Sequence, residues 1–201
     1  MKPKEETTEA QILNAARSVF IAKGLECARM QEIADTAGIN KALLHYYFRS
    51  KDKLFEAVFN DIASNLFPAM QQLLDSELGI KEKLTFFVKI YLKTLHENPF
   101  LPAFVINTLY SNPEPFLRHF KDIGLNPMLL QDQIDDEAAR GLIRPFKPQH
   151  VIVNIVAMCI LPFVARPIVQ TIFTMDDEAY SLYLQQRENE IIGFVLNSIS
   201  L

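Results

Sequence analysis

Five side chains between residues 41 and 51 could hold an anion: Lys41, His45, Tyr46, Arg49 and Lys51. Ammonium, guanidinium, imidazole and phenol groups all donate hydrogen bonds to phosphate oxygens. Residues 36–51 contain three Lys or Arg residues and no Asp or Glu. The chemistry that this stretch offers is therefore the binding of a polyanion.

The charge of the whole chain hides this local balance. The chain of 201 residues has a net charge of −4, yet residues 1–55 carry nine Lys and Arg against seven Asp and Glu. The remaining residues carry eleven bases against seventeen acids. The basic N-terminal quarter indicates an anionic partner at that end of the molecule.

Two short helices separated by a glycine turn must position these side chains. The pattern predicts one helix over residues 30–36 and a second over 41–47, capped by Asn40. Ala34 is small enough for a close helix crossing, and Gly38 permits the turn. Ile39 would fill the turn, while Leu44, Tyr47 and Phe48 would lie on the inward side of the second helix. These features together predict a helix-turn-helix.

The outward face of the second predicted helix suits a DNA groove. Lys41 can reach a phosphate or a guanine edge, and Ala42 and Leu43 allow close approach to a thymine methyl group. His45 and Tyr46 can donate to phosphates. The alternative interpretation is an ordinary amphipathic helix in a bundle, since aromatic stripes are usually core.

Helical periodicity continues along the chain, and strand signals are absent, which predicts an all-α fold of about nine helices. The first helix would begin at a capping box starting at Thr8 and end at Gly24. A fourth helix, capped by Ser50, would kink or restart at Pro68. Residues 147–174 and 176–201 are expected to form two long helices, the first kinked by prolines.

Several classes of protein are excluded by what the sequence lacks. Cys27 and Cys159 stand far apart without ligand-spaced partners, which argues against a disulfide framework or a metal site. No nucleophile–base pair or phosphate loop indicates an enzyme, and no cofactor is expected. The start lacks the apolar core of a signal peptide, and Asn154 and Pro162 interrupt the apolar run 151–164. We therefore expect a cytoplasmic protein without a membrane partner.

Two runs in the first quarter resemble the TetR/AcrR family of bacterial transcriptional regulators. They are IADTAGINK, residues 33–41, and LHYYFRSKDKL, residues 44–54. FIAKG at 20–24 and GLIRP at 141–145 fit the family as well. Three positions depart from it: Arg29 replaces the usual Ser or Thr cap, Leu43 replaces a frequent Thr, and His45-Tyr46 reverses the commoner order. The operator sequence therefore cannot be copied from relatives.

The resemblance implies a DNA-binding domain over residues 1–50, with a three-helix head, and a ligand-binding and dimerisation domain over 51–201. It implies a homodimer that binds a palindromic operator on double-stranded DNA. The expected function is that of a repressor released by a small apolar or amphipathic effector, with activation as the alternative mode. The residues predicted to contact DNA are Arg29, Met30, Gln31, Asn40, Lys41, Ala42, Leu43, His45, Tyr46, Tyr47 and Lys51.

The C-terminal residues supply candidates for the pocket and the dimer. Met and Phe suit adaptable apolar pockets, although any one of them is more often plain core. The predicted pocket consists of Phe67, Met70, Phe87, Tyr91, Phe104, Asn107, Thr108, Phe116, Met128, Met158 and Phe163. The predicted dimer contacts are Ile152, Ile155, Val156, Cys159, Tyr183, Ile191, Phe194 and Val195.

Two rival functions stay open at this point. One is an enzyme of unknown class. The other is a helix-turn-helix protein that responds to a protein partner, or to oxidation of Cys27, instead of a small molecule. The sequence does not identify the effector, the operator or the regulated genes.

Overall fold

The computed structural model describes residues 7–111, 113, 114, 117, 124 and 126–201. These residues form ten bounded α-helices and no strand, which confirms the all-α prediction of about nine helices. In chain order they are α1 Thr8–Cys27, α2 Met30–Thr36, α3 Lys41–Tyr47, α4 Lys51–Asp75, α5 Ile80–Glu97, α6 Leu101–Ser111, α7 Gln131–Ala139, α8 Pro148–Val164, α9 Arg166–Ile172 and α10 Asp177–Ile199. A 3₁₀ turn, Pro127–Leu130, precedes α7.

The boundaries of α1 depend on one hydroxyl and one glycine. The Thr7 hydroxyl accepts a hydrogen bond from the backbone N–H of Ala10, so the cap lies one residue before the predicted Thr8. Gly24 has φ +73° and interrupts the helical backbone where the sequence predicts the helix to end. A single turn beyond Gly24 extends the assigned helix to Cys27. This kink directs the chain towards α2.

The core beneath α1–α3 is completed by later parts of the chain. Phe20, Phe55 and Phe100 are buried together, with ring centroids 4.9–5.9 Å apart. The same cluster contains Val58 and Leu101. The first turns of α4 and the α5–α6 junction therefore pack directly under the helix-turn-helix, and we call this cluster the head core.

The second core lies among α5, α7, α8 and α10, with Ile80, Ile134, Ile155 and Ile191 almost fully buried. At its edge the Glu137 carboxylate accepts a hydrogen bond from the N–H of Ile80 at 3.0 Å. A buried acid thus satisfies a free N–H at the beginning of α5, where the helix dipole favours negative charge.

The fourth helix does not restart at Pro68, which was one of the two outcomes predicted there. The helix α4 continues through it to Asp75. Pro68 is exposed, and so is Ser64, whose carbonyl loses its helical donor because proline has no N–H. Water can satisfy that carbonyl, which explains why the helix tolerates the proline.

Prolines do break the predicted long helix over residues 147–174. It forms α8 and α9, which meet at 77° after Ala165. Pro162 lies inside α8 and leaves the Met158 carbonyl without its helical donor. Arg187 of α10 makes a long contact of 3.5 Å with that carbonyl, and the Tyr180 hydroxyl donates to the Pro162 carbonyl. Side chains of α10 thus compensate for both lost backbone hydrogen bonds.

No single helix in the described ranges is long and apolar enough to cross a membrane. The pair α8 and α9 reaches that length and composition only when both are counted together, across their bend.

Candidate nucleic-acid interface and effector cavity

The helix-turn-helix forms as its residue types predict. Ile33, Ala34 and Leu44 are fully buried between α2 and α3. Gly38 has φ +67°, a conformation that glycine adopts without steric cost. The N–H of Ile39 donates to the Ala34 carbonyl at 3.0 Å, which closes the turn. The Asn40 side chain caps α3 by accepting a hydrogen bond from the N–H of Leu43 at 2.8 Å.

The outward face of α3 carries the predicted DNA-contacting side chains. Lys41, Ala42, Leu43, His45 and Tyr46 are all exposed, and 81% of Tyr46 is open to solvent. The Tyr46 ring meets Tyr47 edge-on, with centroids 5.6 Å apart. This face of the helix therefore presents hydrogen-bond donors together with apolar side chains that permit close approach to a duplex.

Tyr47 does not anchor α3 in the core. It is 40% exposed, whereas Phe48, the next residue, is buried. Because α3 ends at Tyr47, the extended backbone of Phe48 turns its ring into the head core instead. Leu44 and Phe48 therefore anchor the helix, and Tyr47 lies with the outward residues.

Lys51 is occupied by a structural contact. Its ammonium group donates to the carbonyls of Leu25 at 2.8 Å and Glu26 at 3.0 Å. These carbonyls lie in the last turn of α1, where a cation is favoured by the helix dipole. Lys51 thus joins α4 to α1. The sequence predicts that Lys51 contacts DNA, but in this structure its ammonium group is held by α1 and is not freely presented to a phosphate.

The positive charges left on the head are Arg29, Lys41 and Arg49. All three are exposed, and none forms an ion pair with a carboxylate of the described residues. By contrast, Lys23 pairs with Glu32, and Arg17 pairs with Asp61 at 2.6 Å, which ties α1 to α2 and α4. Paired charges hold the head together, and the unpaired ones face outward.

The remaining predicted DNA contacts are α2 residues near its beginning. Arg29 precedes α2 without capping it, as the departure from the family pattern suggests. Met30 is half-buried against the head core. Gln31 is exposed, and its amide donates to the Asp35 carboxylate at 2.8 Å.

Comparison with known proteins places this head in a family. The model of the family described as "Bacterial regulatory proteins, tetR family" matches residues 12–58, the stretch that holds the helix-turn-helix. Over that stretch this chain is similar to the TetR family. Over 75 residues it is 37% identical to the HTH-type transcriptional repressor KstR2 of Mycolicibacterium smegmatis, which covers 37% of each chain.

Another relative is the HTH-type transcriptional repressor NicS of Pseudomonas putida, 29% identical over 147 residues. That match covers 68% of this chain and 66% of NicS. The chain spans about two fifths of the length of KstR2 and of the activator FasR from Mycolicibacterium smegmatis. All three relatives are named as regulators of transcription, KstR2 and NicS as repressors and FasR as an activator.

Solved structures share the fold of nearly the whole chain. The ketosteroid transcriptional regulator KstR2 of Mycobacterium tuberculosis aligns with a TM-score of 0.70 at 19% identity and covers 98% of this chain and 97% of its own. The fatty acid degradation regulator FadR from Bacillus halodurans aligns with a TM-score of 0.63 at 16% identity and covers 96% of each chain.

A cavity of about 460 Å³ lies behind the head, between α4, α5, α6, α8 and the 3₁₀ turn. Phe67, Met70, Phe87 and Tyr91 of the predicted pocket line it. Its volume falls in the range of small-molecule sites. Within the described residues its wall is almost entirely apolar, with Lys83, Tyr91 and Thr94 as the polar exceptions.

The predicted pocket residues of α6 face away from the cavity. The lining residues of α6 form a helical stripe that excludes Asn107 and Thr108: Leu101, Pro102, Val105, Ile106 and Leu109. The Phe104 ring packs on Phe55, with centroids 3.7 Å apart, and so belongs beside the head core.

The other predicted pocket residues also lie elsewhere. Met128 is exposed on the 3₁₀ turn, whereas its neighbours Pro127 and Leu130 line the cavity. Met158 and Phe163 pack against the second core, with the Phe163 ring edge-on to His96. Phe116 lies outside the described residues.

Four of the eight predicted dimer contacts are buried inside the protomer. Ile155, Cys159, Ile191 and Val195 are members of the second core, and Tyr183 is half-buried beneath Arg187. Ile152 and Val156 line the cavity instead. Phe194 is the predicted contact that stays open, at 64% exposure. Hydrophobicity along the sequence identifies the apolar helices, but it does not show whether a residue faces the core, the cavity or the solvent.

Burial makes the two thiols different. Cys159 lies in the second core, where desolvation raises its pKa to about 12 although Arg187 opposes the shift. Cys27 is exposed at the end of α1. In the described part of the chain no group of three His, Cys, Asp or Glu residues is arranged to hold a metal ion.

Proposed function

We propose that this protein is a DNA-binding transcriptional regulator that contacts an operator through α2 and α3. The observation that carries the proposal is the face of α3, where Lys41 and Tyr46 are exposed while Leu44 fixes the helix in the head core. Phosphate contacts from the unpaired Arg29 and Arg49 would set the register of the head on the duplex.

We propose further that two copies bind a palindromic operator. Large apolar side chains on α8 and α10 remain open to solvent, which is unfavourable for a monomer: Val153, Leu161, Leu182 and Phe194. Pairing these helices across a two-fold axis would bury them in a four-helix bundle. The two recognition helices would then read half-sites about one duplex turn apart.

The cavity supports effector control of this binding, with release of a repressor as the proposed outcome. Leu101 belongs to the head core and also lines the cavity, and Phe59 contacts both. A ligand that pushes on these shared side chains would change the packing beneath α1–α3. If it binds better to the displaced arrangement, it shifts the population away from the DNA-binding one. We propose that this occurs in the cytoplasm.

The direct test is to select a duplex from a random pool and to measure binding of two variants by gel shift. Lys41→Ala and Tyr46→Ala should each weaken binding by roughly tenfold or more, as expected for loss of a base or phosphate contact of about 1–3 kcal/mol. Lys53→Ala is the matched control, because Lys53 is exposed nearby but paired with Glu56 at 2.6 Å. Unchanged affinity in both test variants would contradict the proposed recognition face.

A further inference from the structure

Among the described residues that line the cavity, one carries a positive charge, and the rest of the wall is almost entirely apolar. Lys83, on the first turns of α5, lines the cavity and is 5% exposed. Its ammonium group donates to the Leu74 carbonyl at 2.7 Å. No ion pair joins it to a carboxylate of the described residues. A buried ammonium group without an anion is costly unless something else compensates for its charge.

Part of that compensation comes from the end of α4. Leu74 lies in the last turn of this helix, and helix C-termini favour positive charge. The contact alone would make Lys83 a capping residue. An ammonium group has three donors, however, and the Leu74 carbonyl satisfies one of them. Among the described residues the ammonium group has no second hydrogen-bond partner, and the Lys83 side chain lines a cavity large enough for a ligand.

The length of the cavity, and the position of Lys83 at one end of it, indicate the shape of a ligand that would fill it. The lining residues of α5 run from Lys83 to Leu95, twelve residues or about 18 Å of helix. Those of α4 run in the opposite direction from Phe59 to Leu74, about 22 Å. Lys83 and Leu74 therefore mark one end of a long cavity, and Phe59 and Leu101 mark the other end, next to the head core.

The polar groups between these ends are neutral and differ from Lys83. The Thr94 hydroxyl already donates to the Ile90 carbonyl at 3.0 Å. Burial raises the pKa of Tyr91, so its phenol stays protonated at neutral pH. Neither group supplies a charge that would neutralise an anion.

From this geometry we infer that the effector is an amphipathic carboxylic acid with an extended apolar chain, whose carboxylate pairs with Lys83. The chain would run along α4 and α5 towards Phe59 and Leu101. This inference rests on the proposed regulatory function, since it names the ligand class of the cavity. It also implies that chain length matters, because a short acid would occupy the Lys83 end without reaching the head core.

The test compares dodecanoic acid with dodecan-1-ol, two probes that share the chain and differ in the head group. Isothermal titration calorimetry on the full chain should show the acid binding at least tenfold tighter than the alcohol. Lys83→Met should weaken acid binding by at least tenfold and change alcohol binding less than threefold. Lys89→Met, an exposed lysine two turns along α5, is the matched control and should behave like the unchanged protein.

Lys83→Arg keeps the charge and should retain the preference for the acid, and circular dichroism on each variant checks folding. If Lys83 only caps α4, Lys83→Met would lower thermal stability and leave the acid-to-alcohol ratio unchanged, which overturns the inference. Absence of binding by both probes to the unchanged protein overturns it as well.

A gel shift on the same samples separates this inference from the proposed function. Operator binding by Lys83→Met in the absence of acid, together with lost acid preference, supports both. Operator binding without any acid binding refutes the ligand class alone. If acid binding depends on Lys83 but the protein binds no duplex, the DNA-binding proposal is refuted and the acid-binding site at Lys83 is supported.

Within a series of acids, affinity should rise about fourfold per added methylene until the chain fills the cavity.

Discussion

The recognition face of α3 and the wall of the cavity are built in opposite ways. The recognition face lies on a single helix of seven residues, so its outward residues are close together in the sequence. The cavity wall takes residues from four helices and a 3₁₀ turn, between Phe59 and Ile160. The first site is exposed and carries several polar side chains, whereas the described wall of the second is almost entirely apolar with one buried cation.

This difference explains why the recognition face is easier to predict from the sequence than the cavity wall. A site on one short helix needs only the local period to define which side chains point outward. A cavity between helices depends on how each helix is rotated against its neighbours, which is decided by packing of distant residues. The following predictions compare the two regions, from the largest expected effect to the smallest.

The largest contrast concerns the two cysteines, one near the head and one in the second core. At pH 8 a thiol with a pKa of about 12 is almost entirely protonated, whereas an unfolded thiol titrates near 8.5. Native Cys159 should therefore react with iodoacetamide about a thousandfold more slowly than in urea, while exposed Cys27 reacts in the native state. Mass spectrometry after timed alkylation measures this. Equal labelling of both native thiols would contradict the burial of Cys159.

Core truncation should cost more in the head than at the cavity wall. Phe55→Ala removes the ring that contacts Phe20, Phe100 and Phe104, and should destabilise by about 3–5 kcal/mol. Met70→Ala only enlarges an existing cavity, so its cost should lie near the lower end of the range for such truncations, about 2 kcal/mol. Urea unfolding followed by circular dichroism measures both. A reversed order would show that the cavity wall, not the head core, is the tighter region.

The dimer proposal predicts a large effect from one exposed residue. Phe194→Asp places a charge where the second copy should pack, and should weaken dimerisation by roughly a hundredfold, or about 3 kcal/mol. Gln185→Asp is the control, because nine residues put it half a turn round α10. Sedimentation velocity across a concentration series distinguishes the two. Identical self-association of both variants would mean that α10 does not form the interface.

The smallest effect separates two lysines at either end of the head. Lys51→Ala should lower stability by about 1 kcal/mol, because it removes hydrogen bonds to the last turn of α1. It should leave the salt dependence of DNA binding unchanged, whereas Lys41→Ala should reduce the slope of log K against log salt by about one. The measurement is duplex affinity by fluorescence anisotropy at several salt concentrations. A reduced slope in Lys51→Ala would show that this lysine leaves α1 to contact phosphate.

Much of the helix-turn-helix could be predicted from the sequence because its determinants are local. Gly38, Ala34 and Leu44 occupy the conformations and the burial that their types require. Tyr47 was assigned inward from helical spacing, and that was wrong because the helix ends there and Phe48 takes the anchoring position. The contact of Lys51 with the carbonyls of α1 was not predicted, because those carbonyls are 25 and 26 residues away in the sequence.

The cavity was harder to predict. Phe67, Met70, Phe87 and Tyr91 were identified by their large soft side chains, but the same criterion selected Phe104, Met128, Met158 and Phe163, which lie elsewhere. Lys83 was missed because a lysine at the beginning of an amphipathic helix is normally solvated. A signal was present, since residues 80, 84, 87 and 88 are apolar and place residue 83 on the same helical face.

The sequence by itself determined the helices, the basic N-terminal segment and the turn that aims α3 outward, because propensity, capping and local charge act over a few residues. The tertiary structure alone decided which apolar face of α8 is core, cavity or surface, since Ile155, Ile152 and Val153 are neighbours with three different environments. It also decided that one lysine is held against α4 at the end of an apolar cavity. That placement depends on the antiparallel packing of α4 and α5, which no local pattern encodes.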